Sequence, residues 1–85
     1  MPKRILIVAA AKPVEALRVA AGLTLADAEL QVMSLGTLPE GDAAAAQMEA
    51  LEFADIVPQA LQPADAASWS ALARAVMASD MVYVL

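Results

Sequence analysis

An α/β fold built on a four-stranded parallel sheet is what the sequence predicts, on three observations. Four short apolar runs alternate with three longer stretches of helical period. The first run, Ile5-Leu6-Ile7-Val8, is apolar at every position, as a strand covered on both faces is. Pro13, Asp42 and Asp65 each stand where a helical stretch begins, residue types that suit a first turn or an N-cap.

The first run reads as a central strand. Lys3 and Arg4 precede it and mark a wet edge, so its far end, Ala10 to Pro13, reaches the opposite edge, where open parallel sheets bind ligands. A helix is expected from Pro13 to about Ala26. Val14, Leu17, Ala21 and Leu25 share a stripe for the sheet, while Ala16, Val19, Ala20 and Leu23 make a second apolar side. A helix apolar on two sides is buried twice, so this second group is expected to form a subunit interface. Gly22 within that helix costs about 1 kcal/mol relative to Ala.

Glu29 to Leu35 alternates polar and apolar, which suits a strand with one wetter face at a sheet edge. Gly36 to Gly41 holds two of the three glycines and a proline, and reads as a loop. Asp42 is expected to cap a helix over Ala43 to Phe53, with Ala44, Met48 and Leu51 inward. Asp55-Ile56-Val57-Pro58 is either a brief third strand or a loop, and Gln59 to Ala64 links it to the next element. Asp65 then caps a helix over Ala66 to Ser79, where Trp69, Leu72, Val76 and then Met77 or Asp80 trace the period, with the apolar members expected to face the sheet. Met81 to Leu85 forms the last strand. The β-α-β-α-β-α-β order implies right-handed crossovers and a three-layer sandwich with helices on both faces. A flavodoxin-like strand order, 2-1-3-4, would place a crevice between the first and third strands. With no repeat or linker in view, residues 1–85 read as one domain.

Hydrophobic residues make up 61% of the 85-residue chain, above the ~45–50% of ordinary soluble domains. A small domain this apolar has more surface to hide than its own core takes, which predicts an oligomer. The longest unbroken apolar run, Ile5 to Ala11, is far short of the roughly 20 residues that span a bilayer. Lys12, Pro13 and Glu15 interrupt the segment that follows the basic start Met1-Pro2-Lys3-Arg4, so it does not read as a signal peptide, and a cytoplasmic location is expected. A net charge of −5 without any basic run argues against a nucleic-acid partner.

Chemistry is narrowed by what is missing. The chain has no cysteine and no histidine, which removes the usual zinc ligands and the usual partners of an activated serine. No catalytic residue and no metal site are assigned. Ala9 to Pro13 lacks the glycines of a phosphate-wrapping loop, so neither a Walker loop nor a dinucleotide fingerprint is present, and no redox cofactor is expected. Lys12, beside the positive end of the first helix, could hold a small anion, with Ser34, Gly36 and Thr37 adding hydroxyl and amide donors. Against this stands the plainer reading of a solvated lysine paired with Glu15 and of ordinary turn residues. Glu40 and Asp42 are better read as helix-start acids than as a catalytic pair.

The runs Ile5-Leu6-Ile7-Val8, Glu15-Ala16-Leu17-Arg18-Val19-Ala20, Glu29 to Gly36 and Ser79 to Leu85 together resemble the DsrE/DsrF/DsrH-like proteins of sulfur relay. The resemblance spans nearly the whole chain and rests on an apolar pattern and on Leu35-Gly36. It implies a small cytoplasmic α/β sandwich that assembles into homo- or hetero-oligomers. Some members of that family pass persulfide sulfur from a cysteine, which this chain does not possess. Thr37-Leu38-Pro39 also stands where many relatives continue with an acidic residue and a glycine. The resemblance therefore implies a non-catalytic accessory or scaffold subunit, assembling with itself or with a cysteine-bearing relative. A small-molecule binding module, taking an anion or nucleotide at the strand ends, is the alternative.

Overall fold

The computed structural model describes residues 2–85; Met1, the first residue of the basic start, lies outside them. Four strands and three helices alternate: β1 (Lys3–Ala9), α1 (Pro13–Leu23), β2 (Ala28–Leu35), α2 (Asp42–Phe53), β3 (Gln59–Leu61), α3 (Ala66–Ala78) and β4 (Met81–Val84). All strand pairs are parallel, and the order across the sheet is β3-β2-β1-β4.

β1 is central, as its two-sided apolar run requires. Ile5, Ile7 and Ala9 point to one face and join Val32, Ala16, Leu17, Ala20, Ala44 and Leu51 in a core under α1 and α2. Leu6 and Val8 point to the other face and pack with Met33, Leu61 and Ala75 under α3. Helices thus cover both faces of the sheet.

The order differs from the expected 2-1-3-4. β3 docks outside β2 through Met33↔Gln59, Ser34↔Ala60 and Leu35↔Leu61, while β4 takes the free flank of β1 from Ile5↔Met81 to Val8↔Val84. A crevice between β1 and β3 is therefore impossible, because β2 lies between them. The strand itself is also displaced: Asp55 to Pro58 is connecting chain, and Gln59 to Leu61, expected as a link, forms the third strand. Pro58 has no amide to donate, whereas Leu61 is buried and anchors the short strand.

β2 is an interior strand, not an edge. Its wetter character belongs to its first half, where Glu29 and Gln31 are exposed because β3 begins only at the level of Met33. There Arg4 lies beside Glu29 in the parallel register, with their side chains 3.6 Å apart.

Three helix details also depart from expectation. α1 stops at Leu23, so Leu25 falls in the following turn and is 93% exposed instead of facing the sheet. Asp42 is the first residue of α2, not its cap; Gly41 occupies the cap position at φ 105, a conformation that costs an L side chain steric strain. On α3 the inward residues are Ala71, Leu72 and Ala75, whereas Trp69 and Val76 are 45% and 42% exposed and Met77 is 87% exposed. Asp65 caps α3 as expected, accepting from the Ala67 amide at 3.0 Å.

Candidate functional site

Strand order decides where a ligand crevice would fall. The chain steps outward from β1 to β2 to β3 and then returns to the opposite flank of β1, so the reversal point lies between β1 and β4. At that seam the main chain is already paired. The Ala10 and Lys12 amides donate to the Leu85 carbonyl at 3.3 and 2.7 Å, and the Leu85 amide donates to the Val8 carbonyl at 2.9 Å. Leu85 is half-buried against the α1 side of the core.

Lys12, Ser34, Gly36 and Thr37 all stand at the C-terminal edge of the sheet, Lys12 after β1 and the others at or just after the end of β2. Lys12 lies at the β1–β4 seam, where its amide meets Leu85, whereas Ser34, Gly36 and Thr37 lie on the β2 side of β1. Several of their donors are committed. The Ser34 hydroxyl, buried with its residue, donates to the Thr37 carbonyl at 3.3 Å. The Gly36 amide donates to the Leu61 carbonyl at 3.0 Å, from a backbone at φ 104. Lys12 is exposed and forms the N-cap position of α1, with its carbonyl accepting from Ala16 at 3.0 Å. Glu15 pairs with Arg18, not with Lys12; both Glu15 carboxylate oxygens accept from the Arg18 guanidinium. That hydrogen bond holds the Glu15 carboxyl below its ordinary value and raises the Arg18 guanidinium above its own.

The open concavities lie elsewhere. One of about 460 Å³ is lined by Glu49, Glu52, Phe53 and Asp55, and a neighbour of about 360 Å³ by Met48, Glu52 and residues 55–58. Two smaller ones border Arg4, one with Glu29, Leu30 and Gln31, the other with Lys3 and Asp80. None of these four is lined by Lys12, Ser34, Gly36 or Thr37. Among the described residues, no cluster of three or more His, Cys, Asp or Glu side chains is placed to hold a metal ion. No helix among them is long and apolar enough to cross a membrane.

Of the four residues expected at a subunit interface, two lie wholly inside the single chain and two partly so. Ala16 and Ala20 are fully buried in the single chain, and Val19 and Leu23 are half-buried against the core that α2 completes. Ala16, Ala20 and Ala44 are small enough to let α1 and α2 approach closely over this core.

Sequence reasoning missed a different surface. β4 pairs with β1 on one flank only, and its residues are open on both faces: Met81, Val82 and Tyr83 are 37–39% exposed and Val84 is 64% exposed. A run of Met, Val, Tyr and Val reads as buried, so its exposure gives no sequence signal. Edge strands are ordinarily blunted by lysine, proline or a bulge. β3, at the other edge, is bracketed by Pro58 and Pro63, and the uncovered half of β2 carries Glu29 and Gln31. Residues Met81 to Leu85 carry neither charge nor proline.

Compared with known proteins, the chain matches no family model, no curated protein and no solved structure.

Proposed function

We infer that this chain works by assembly and not by catalysis, as a DsrE-like accessory or scaffold subunit of a sulfur-relay system whose reactive thiol belongs to a partner. The open, unblunted apolar edge of β4 carries this reading, since such an edge is a template for another chain. Support also comes from the complete lack of Cys and His, which leaves the chain without its own sulfur acceptor or imidazole base. The sulfur-relay assignment rests on the sequence resemblance. A cytoplasmic location and the absence of a nucleic-acid role follow from the same reading and from the acidic charge.

Native mass spectrometry of the protein purified gently from its own host tests it. Several copies in one particle, or a stoichiometric complex with a thiol-bearing relative, is the expected result. A bare 8.8 kDa monomer at all concentrations would overturn it.

A second reading is an anion-binding module at the strand ends. One observation favours it: Lys12 is exposed at the N-cap position of α1, where the first-turn amides and the positive helix end converge. A Lys12-dependent thermal shift in phosphate would establish it.

A further inference from the structure

We propose that the groove at the C-terminal end of α2 takes a basic amphipathic segment of another protein, with an apolar side chain seated in it and lysine or arginine along its rim. None of its lining residues belongs to β4, so occupancy here does not depend on what pairs with that edge. Shape is the first ground. The concavities of about 460 and 360 Å³ share Glu52 and Asp55, and so form one groove running from the last turns of α2 onto the chain that leads to β3. Its apolar lining grades from Pro58, which is buried, through half-buried Met48 to Val57 and Phe53, which are 85% and 84% exposed. Large side chains are thus held open to water beside a recess that could receive a partner's.

Charge is the second ground, and it selects the occupant. Glu49 and Glu52 stand three residues apart in the last turns of α2, a spacing at which like charges repel. Asp55 follows at once, its amide donating to the Glu52 carbonyl at 3.0 Å. All three sit at the negative end of the helix dipole, where cations are favoured. Yet α2 has no basic residue in its last turn, and the chain has no Lys or Arg between Arg18 and Arg74. The ion pairs among the described residues, Arg4–Glu29 and Glu15–Arg18, do not involve these acids. Cations brought by a partner would relieve the mutual repulsion and the dipole together, and the Phe53 ring offers them a π face. The same rim repels a second copy of net charge −5, nucleic acid and an anionic membrane. A purely hydrophilic polycation would leave the apolar lining in water. A helix with a lysine- or arginine-rich face beside an apolar one meets both features.

The probe is a fluorescent synthetic helix with a leucine face and a lysine face, titrated against the full chain by anisotropy. About 0.1 M salt screens charges more than roughly 10 Å apart, so that distant acids contribute little. One peptide per chain is expected, with amide shifts by NMR centred on residues 48–57 and an affinity that falls as salt rises. Glu52→Gln with Asp55→Asn should weaken binding by about fivefold. Asparagine tolerates the left-handed backbone of Asp55 at φ 60. Glu40→Gln with Asp42→Asn removes the same charge at the other end of α2 and should change affinity by less than about twofold. Val57→Ser, at a site too exposed to threaten folding, should weaken binding by about fivefold. A peptide of the same composition with its leucines and lysines shuffled should bind far less. Equal losses in the two double variants, or a Val57→Ser protein that binds like wild type, would reduce the contact to bulk charge and overturn the proposal. So would spermine binding as tightly as the peptide, wild-type self-association abolished by Val57→Ser, or no binding at all. The mass of the native particle judges the assembly reading separately, so the failure of either leaves the other standing.

Discussion

The Lys12 amide donates to the Leu85 carbonyl at 2.7 Å, so the first turn after β1 and the end of β4 are held together by main chain. Where open parallel sheets commonly admit a ligand, this protein closes on itself. The bond does not involve the Lys12 side chain. Lys12→Ala is therefore expected to change stability by less than about 0.5 kcal/mol, as for other surface substitutions. Thermal denaturation with and without inorganic phosphate checks this, and equal shifts for both proteins are expected.

Packing between α1 and α2 gives a second expectation. Ala20 is fully buried, so Ala20→Leu should overpack that contact and destabilise the protein by about 1–3 kcal/mol in urea unfolding. The loss should not depend on protein concentration. If Ala20→Leu instead left unfolding unchanged and altered only oligomer mass, the α1–α2 contact described above would be wrong.

Helix α3 should depend on its cap. Replacing Asp65 with Ala removes the acceptor for the Ala67 amide and should cost about 1 kcal/mol, whereas Asp65→Asn should retain most of the stability. Chemical denaturation of the two variants separates the cap from a general effect of charge.

Acid should weaken the Glu15–Arg18 pair in a defined direction. The Glu15 carboxyl is held below its ordinary value near 4.5, so its contribution is fully present above that value and is lost as pH falls through the lower, folded one. Wild type should be at least as stable as Glu15→Gln at neutral pH, with the difference shrinking below pH 4.5 and with added salt. Because both side chains are largely exposed, the difference will be small. An advantage that grew on acidification would contradict the pairing.

Truncation of the central core provides the largest expected effect. Leu6 and Leu51 are fully buried on opposite faces of the sheet, and Leu→Ala at either should cost about 2–5 kcal/mol in equilibrium unfolding.

Much of this fold is legible in the sequence where side chains carry strong phase. Ile5 to Val8 announces a strand covered on both faces, and Ala44, Met48 and Leu51 give the inward side of α2. Alanine carries little phase, which is why α3 is read a step out of position: Ala71 and Ala75 do the inward packing while the larger Trp69 and Val76 stay half-open. The third strand is misplaced because Ile56 and Val57 look like strand residues, while Gln59-Ala60-Leu61 has only Leu61 to bury. Strand order has no local signature at all. β1 is equally apolar whether its second neighbour is β3 or β4. Of the candidate site, the sequence places Lys12, Ser34, Gly36 and Thr37 at one sheet edge; it does not record that the Ser34 hydroxyl and the Gly36 amide are already bonded within the chain.

Arg4 and Asp80 are 76 residues apart, yet the Arg4 amide donates to the Asp80 carboxylate at 2.9 Å and its carbonyl accepts from the Asp80 amide. This clasp has a kinetic meaning. A chain emerging from its N-terminus can pair β1 with β2 early, but the other flank of β1 stays bare until Met81 to Val84 have been made. During that interval the most apolar strand in the protein shows an unpaired edge to its surroundings. Whichever strand arrives first can take the place, so slow synthesis or high local concentration favours exchange of β4 between neighbouring chains.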